Sequence, residues 1–425
     1  MSILSSLYTG ASGMTAHGGA IGIVGDNIAN ASTIGFKRSR ADFADVLGGN
    51  LGGQRLGAGV RLGGADSMFE QGSIQQTGGT FDLAIRGNGM FAVKGAHGGQ
   101  TQTYYTRDGR FGLDNQGYVT NEQGLRLQGY MIDDAGAVAT SATDLDLAGH
   151  ESPPVATTAA NLSYNLDSTK PVAAAWNPAA PAGTSQTSVT VHDSLGNEHK
   201  VDIYFLNQGG GKWEWHATVD GGELNGGTAG TPTEIATGTV EFNAAGALDK
   251  ETPGASSASF VGAAAGQAIK FDFGDAITTD GGTGISGTTQ YAQGFATNGV
   301  KVDGRAAGKL TDVSIGDDGT MTGTFDNGDT HAIAQVALAT FGAEQELTRA
   351  GDGLYTESAG SGQPLLAAAG NGGRGAISQG ALEGSNVDLG NELVTMIAYQ
   401  RAFQANSKTV TTADEMLAQI AELVR

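Results

Sequence analysis

From Leu4 the apolar or small positions run Leu4, Leu7, Ala11, Met14, Gly18, Ile21, Gly25 and Ile28, alternating steps of three and four. That spacing predicts a helix over residues 1–30 with a coiled-coil seam. At the other end Leu393, Met396, Phe403, Val410, Leu417, Ala421 and Val424 share one heptad lattice, widened by Met416, Ile420 and Leu423. Ser385 stands three residues before Asp388 as a capping-box start, and no proline follows, so a second helix is expected over residues 386–425.

The first helix carries Gly10, Gly13, Gly18, Gly19, Gly22 and Gly25. Each costs about 1 kcal/mol relative to alanine, about 6 kcal/mol together, which rivals the net stability of a whole domain. Alone, such a helix does not form. Packed against neighbours, its glycines let backbones approach closely. An ordinary amphipathic helix folded onto its own domain is the competing reading. Two mirrored terminal seams around a β-rich middle favour ends that pair with each other and with adjacent subunits.

Between the ends the period changes to two. Phe81, Leu83 and Ile85 alternate with polar or small residues, Gly87-Asn88-Gly89 turns the chain, and Phe91 and Val93 resume the pattern. Another hairpin is expected from Ser188–His192 through Asp193-Ser194-Leu195-Gly196-Asn197 to Val201–Phe205. Asp114–Gly117 and Asp317–Gly319 are turns of the same chemistry.

Composition sets the borders. Residues 151–300 hold 15 acidic and 5 basic side chains, against 13 and 10 in residues 1–150, and the block is entered through Pro153-Pro154, Pro171, Pro178 and Pro181. It reads as an inserted, solvent-facing β domain over 151–290. Residues 31–70 look like a mobile connector or extended loop, with Gly48, Gly49, Gly52, Gly53, Gly57 and Gly59 as hinge candidates. The fold class is therefore mixed: terminal helices (1–30 with 386–425) form a coiled-coil-like inner domain. Inserted between them are an inner β domain (71–150 with 291–385) and an outer β domain (151–290).

The chain has 425 residues, 23 Lys and Arg against 44 Asp and Glu, and a formal net charge of −21. A nucleic-acid partner is not expected, because phosphate binding needs clustered cations. Glycine reaches 70 residues while proline is only 8, without a collagen period. The absence of cysteine removes disulfides, thiolate metal sites and a thiol nucleophile. No apolar run approaches a membrane span, and the first 30 residues lack the basic start of a Sec signal, so membrane insertion and Sec-type secretion are not expected.

Motifs for chemistry fail. Gly211-Lys212 and Gly308-Lys309 are followed by Trp213 and Leu310, which breaks the phosphate-loop pattern. Nucleophile-elbow and zinc-protease patterns are absent. Gly281–Ser286 and Gly372–Ile377 approach a calcium-binding nonapeptide but lack its aspartate and do not repeat. His192 and His199 flank one turn with Asp193 and read as surface residues; Asp133-Asp134 and Asp317-Asp318 read as solvated turns. Lys37, Arg38 and Arg40 form a short basic run, expected on the solvated surface. Neither an enzyme nor a cofactor is expected.

Asp26-Asn27-Ile28-Ala29-Asn30-Ala31-Ser32-Thr33-Ile34-Gly35-Phe36-Lys37 resembles the N-terminal signature of the bacterial flagellar rod and hook family. Its characteristic positions here are Asn27, Asn30, Gly35, Phe36 and Lys37. Ser385, Asn386, Val387, Asp388 and Leu389, followed by Glu392-Leu393 and Tyr399-Gln400-Arg401, resemble the family's C-terminal signature. Gln71–Gly78 with Phe81–Ile85 is similar to its inner β domain. Asn161-Leu162, Asn165-Leu166-Asp167 and His192–Asn197 through Tyr204-Phe205 are similar to the outer domain of its hook members.

The resemblance implies a self-polymerising structural subunit of a curved, flexible hook outside the cell. Terminal helices would form the inner tube, with Leu4, Leu7, Ala11, Met14, Ile21, Ile28, Leu393, Met396, Phe403, Val410, Leu417 and Val424 at the polymer interface. Implied partners are the rod below, the hook–filament junction protein above, the hook cap and the flagellar type III export apparatus. A distal rod protein of the same family and a secreted glycine-rich adhesin or calcium-binding surface protein are the alternatives. The 151–290 insertion argues against the first, and terminal heptads without tandem repeats argue against the second.

Overall fold

The structure, a computed structural model, describes residues 3–51 and 54–423, with side chains described over 4–47 and 57–420. The chain is mostly β, with a helix at each end. It divides into two compact units, Met1–His150 with Asp312–Thr324 and Thr330–Arg425, and Glu151–Thr311 with Phe325–Asp329. The second unit thus runs past the border expected at 290.

In the first unit the helices Ile3–Ala29 and Leu389–Leu423 pack antiparallel. Gly10 meets Val410, Gly13 meets Asn406, Gly18 meets Phe403, and Asn27 meets Glu392. A Cβ at Gly10 would lie 2.9 Å from Val410 Cγ2, and one at Gly13 2.6 Å from the Asn406 amide, so only glycine permits this spacing. The buried row is Gly10, Gly13, Ala16, Ala20, Val24 and Asn27, offset by about one residue from the expected seam. Leu4 is exposed, and Leu7, Ala11, Met14, Ile21 and Ile28 are only half-buried. Small side chains win the close contact inside the chain, and the bulkier apolar row is left at its flank. On the second helix Leu393 and Phe403 are exposed, while Met396, Val410 and Leu417 are half-buried; Val424 lies outside the described residues.

That helix starts at Leu389, later than expected, because Asp388 is its cap: Asp388 Oδ1 accepts from the backbone N–H of Gly390 at 2.9 Å and of Asn391 at 3.2 Å. The Ser385 hydroxyl instead accepts from Val387 N at 3.3 Å, a local turn.

The stretch read as a connector is a long hairpin, Ser39–Leu51 paired antiparallel with Gln54–Ser67. Glycine weakens strands entropically but keeps its backbone donor and acceptor, and Gly57 and Gly64 pair with Leu47 and Asp42 in the ladder. The hairpin lies along the first helix, with Val60 N donating to Ser12 Oγ at 3.2 Å and Leu62 against Gly19. His17, Phe43 and Tyr399 join first helix, hairpin and second helix, their ring centroids 5.2–5.9 Å apart.

The unit's main sheet runs Thr330–Thr340, Arg126–Met131, Met90–His97, Gln100–Thr106, Leu354–Thr356 and Thr348–Gly351 in spatial order. Met90, Ala92, Tyr105, Ala339, Phe341, Leu347 and Tyr355 form one of its buried clusters. The hairpin expected across Gly87–Gly89 does not form. Leu83–Arg86 pairs with Ala376–Gln379, while Met90–His97 pairs with Gln100–Thr106 and Arg126–Met131. Local alternation cannot show that the partner lies 290 residues away. Ile74–Gln76 pairs with Ala381–Glu383 in the same manner.

The second unit holds a five-stranded meander, Ser185–His192, Glu198–Gly209, Lys212–Asp220, Pro232–Phe242 and Leu248–Ser256. A three-stranded sheet of Lys270–Asp272, Ala159–Asn165 and Ala296–Val302 accompanies it. Its core is aromatic, with Tyr164, Phe205, Trp213, Trp215, Phe260, Phe271 and Phe273 buried. The hairpin expected at Asp193–Asn197 is present, from Ser185↔Phe205 to His192↔Glu198. Its turn chemistry recurs: Asp114, Asp133, Asp193 and Asn243 each accept from the backbone N–H two and four residues on. His199, read as a surface residue, is buried. Its Nδ1 lies 2.7 Å from Glu223 and its Nε2 3.2 Å from Asp193, and its ring stacks on Phe260. Two ring nitrogens met by two carboxylates compensate the burial.

Glu251, in the same unit, lacks such compensation. It is buried, its Oε2 has only Phe273 N at 3.4 Å, and its Oε1 has no hydrogen-bond partner. Burial pushes its carboxyl up to about 7, aided by Asp272 and Asp280. A raised folded pKa favours the protonated native state, so this stabilisation is complete below the unfolded value near 4.5 and is lost as pH rises through 7. Above pH 8 the loss is about 3 kcal/mol. Glu251→Gln should abolish the difference between pH 5 and pH 8. All three tryptophans, Trp176, Trp213 and Trp215, lie in this unit. Urea unfolding followed by their fluorescence is therefore the check, and equal pH dependence in wild type and variant would refute the assignment.

Candidate functional site: a buried junction at the roots of the terminal helices

The signature residues converge where both helices meet the β body of the first unit. The helix Ile3–Ala29 ends on Asn30, whose amide donates to Asp26 O at 3.0 Å and whose Oδ1 accepts from the Thr33 hydroxyl at 3.0 Å. Asn27 is buried. Its Nδ2 donates to Ser39 O at 2.7 Å and Glu392 Oε2 at 3.2 Å, and its Oδ1 accepts from Ser39 N at 2.8 Å. One amide thus ties the first helix to the hairpin and to the second helix.

Gly35 turns the chain with φ 68°, and its N–H donates to Glu383 O at 2.7 Å. A Cβ there would lie 2.5 Å from Asp108 N, which excludes a side chain on two grounds. Phe36 lies under the Arg349 guanidinium, 5.2 Å from its ring centroid. Arg349 also donates to Lys37 O and lies 3.5 Å from Asp26.

Lys37, read as surface, is wholly buried. Its Nζ donates to Glu383 Oε1 at 2.6 Å and Glu70 O at 2.6 Å. Burial holds its pKa below the usual lysine value, while the Glu383 carboxylate works against that shift. Glu383 also accepts from Arg107 Nη1 at 2.9 Å and Gly72 N at 2.8 Å. Arg107 also donates from Nη1 to Ile85 O and from Nη2 to Gly87 O, while its buried Nε has no hydrogen-bond partner, and Gln71 bridges Ile85 O and Gly87 N. Asn386 closes the ring: its Oδ1 accepts from Arg38 N at 2.8 Å, and its Nδ2 donates to Met68 O at 2.8 Å and Glu70 O at 3.1 Å.

Pattern reading missed Glu383 and Arg107, and it placed Glu392 and Gln71 in family signatures without a role, because the residues they act on are not their sequence neighbours. Ser385, Val387 and Asp388 shape the entry to the second helix, while Gln400 and Arg401 are exposed on it. Of the hinge candidates, Gly48, Gly49, Gly57 and Gly59 lie within the hairpin strands; Gly57 pairs with Leu47, while Gly48, Gly49 and Gly59 fall at register shifts of the ladder. Gly59 is pinned against Ser12, and Gly52 and Gly53 lie outside the described residues. Among the described residues no group of three or more His, Asp or Glu is arranged to hold a metal ion, and no helix is long and apolar enough to cross a membrane. What the junction does is mechanical: it fixes the roots of two helices to a sheet.

Four family models match in succession. They describe a flagella basal body rod protein (residues 7–37), the D1 domain of flagellar hook protein FlgE/F/G (84–149), the D2 domain of flagellar basal body protein FlaE (165–305) and the C-terminal part of flagellar basal body rod FlgEFG protein (378–423). The chain is 33% identical to flagellar hook protein FlgE of Escherichia coli K12, covering 96% of each chain. It is 32% identical to flagellar hook protein FlgE of Treponema pallidum Nichols, covering 100% of each. Those two full-length matches, with the signatures gathered in one junction, establish that the chain belongs to the flagellar hook protein family.

Proposed function

We propose that this structural subunit of the hook polymerises through its terminal helices into a curved tube outside the cell, where it serves as a flexible joint passing motor torque to the filament. The observation that carries the reading is the apolar row left at the flank of the helix pair. Leu4, Leu7, Met14, Ile21, Leu393 and Phe403 remain exposed or half-buried although the helices are already paired. An apolar row left partly open to solvent is what a polymer contact needs. Contacts between different faces of like subunits, with a rotation that does not close, generate a helical tube. Coiled-coil-like packing of these rows between copies forms the inner tube. The rod, the junction protein, the hook cap and the type III export apparatus are its partners in this scheme, and neither a cofactor nor an enzymatic step enters.

A rotating bent tube lengthens and shortens each protofilament once per turn. We assign that movement to the passage of the chain between its two units at 150/151, beside the turn at Gly149 with φ 71°, and no longer to the hairpin glycines. Replacing Ala148 and Gly149 by valine should give straighter, stiffer polymers in electron micrographs and poorer swimming. Unchanged curvature and motility would overturn the assignment.

A further inference from the structure

The outer face of the helix Leu389–Leu423 carries a charge pattern that neither the junction nor the helix pair uses. Arg401, Lys408 and Glu415 follow at seven-residue steps. Such positions drift only about 20° per heptad and so form one stripe. All three are exposed, and among the described residues none has an ion-pair partner in the chain. The partner helix supplies none, since it has no acidic or basic side chain before Asp26 apart from His17. Val394 and Ile397, 68% and 50% exposed, continue the same face toward the helix root.

We propose that this stripe is the contact with the same helix of a second copy, lying parallel and shifted along the axis by two heptads. The inference rests on the polymer reading above. Unshifted, parallel copies set Arg401 on Arg401, Lys408 on Lys408 and Glu415 on Glu415, all repulsive. A shift of one heptad sets Lys408 on Glu415 but Arg401 on Lys408, and the terms cancel. A shift of two heptads sets Arg401 on Glu415 with no like-charge contact among the three. An antiparallel contact also pairs Arg401 with Glu415, but it opposes Lys408 to itself, and a polar polymer of like-directed subunits does not contain it. Fourteen residues at 1.5 Å each give an axial stagger of about 21 Å. Opposite charges then fix the register of an otherwise permissive apolar contact, as flanking charges do in coiled coils.

The chain has no cysteine of its own, so introduced pairs report only the intended contact. In one helix positions 401 and 415 lie about 21 Å apart, far beyond the roughly 7 Å limit for a disulfide. Polymer grown from full-length R401C/E415C and then oxidised should give a ladder of linked chains on non-reducing gels, while R401C and E415C alone stay unlinked. Charge exchange is the second arm: R401E and E415K should each lower polymer yield at least tenfold, and R401E/E415K should restore it. A ladder from R401C alone, no ladder from polymerised R401C/E415C, or no restoration by the exchange would each overturn the stagger while leaving the hook reading standing. A wild-type chain that never polymerises would overturn both.

Discussion

Glu383→Ala should destabilise the first unit by about 3–5 kcal/mol, because it leaves two buried cations without their counter-charge. The Glu383 carboxylate is wholly inaccessible to water and accepts from Lys37, Arg107 and Gly72. Without it Lys37 keeps one carbonyl and Arg107 two, all within a site that water does not reach. Lys37→Met should cost less, since Glu383 then remains paired with Arg107, and Lys37→Met added to Glu383→Ala should recover part of the loss. The tryptophans supply an internal control: their fluorescence reports the second unit alone, and its midpoint in urea should not move. Far-UV circular dichroism should show the first unit melting earlier. If Glu383→Ala unfolds with wild-type midpoints by both probes, the junction does not hold the helix roots.

The second large effect concerns assembly. Phe403→Asp should prevent polymer growth while leaving the monomer folded. Phe403 is 38% exposed, and a Cβ at Gly18 would lie 3.9 Å from its ring, so it stands at the edge of the helix pair with part of its ring open to solvent. Burying the exposed remainder of this ring against a neighbour is worth about 1 kcal/mol, and a carboxylate in its place forfeits that and adds a desolvation cost of about 2 kcal/mol or more. At tenfold per 1.4 kcal/mol, the concentration needed for growth should rise by roughly two orders of magnitude. Val410→Asp makes the contrast. Val410 lies against Gly10 within the helix pair, so a charge there should also loosen the monomer, visible as lost helical signal before any assembly. Sedimentation and electron microscopy, with circular dichroism on the same samples, separate the two. A Phe403→Asp chain that polymerises at wild-type concentration would remove this residue from the interface.

These effects also mark how far the sequence could be read. Heptad spacing located both terminal helices, because a 3.6-residue period is local. It did not locate the buried row, since close approach is decided by the small residues Gly10, Gly13, Ala16 and Ala20 and not by the largest apolar ones. The glycine-rich stretch after the first helix looked like a loop, because glycine dilutes the alternation of Phe43 and Leu47 that a strand would otherwise show. The hairpin around Asp193 was legible because turn and register lie within a few residues. The junction was half legible: Asn27, Asn30, Gly35, Phe36, Lys37 and Asn386 stand in recognisable signatures, yet a lysine in a basic run gives no sign that its counter-charge is Glu383, 346 residues away. Long-range pairing leaves its mark only on the partners' environment.

The central claim is that the terminal helices bury their apolar flanks only in the polymer. Amide hydrogen exchange on the full-length monomer, repeated on polymer grown from it and viewed by electron microscopy, tests that most directly. The account predicts that residues 4–29 and 389–420 exchange faster than the sheets of both units in the monomer, become protected on assembly, and do so in a curved tube. Termini already as protected as the sheets, in a monomer that never polymerises, would contradict it.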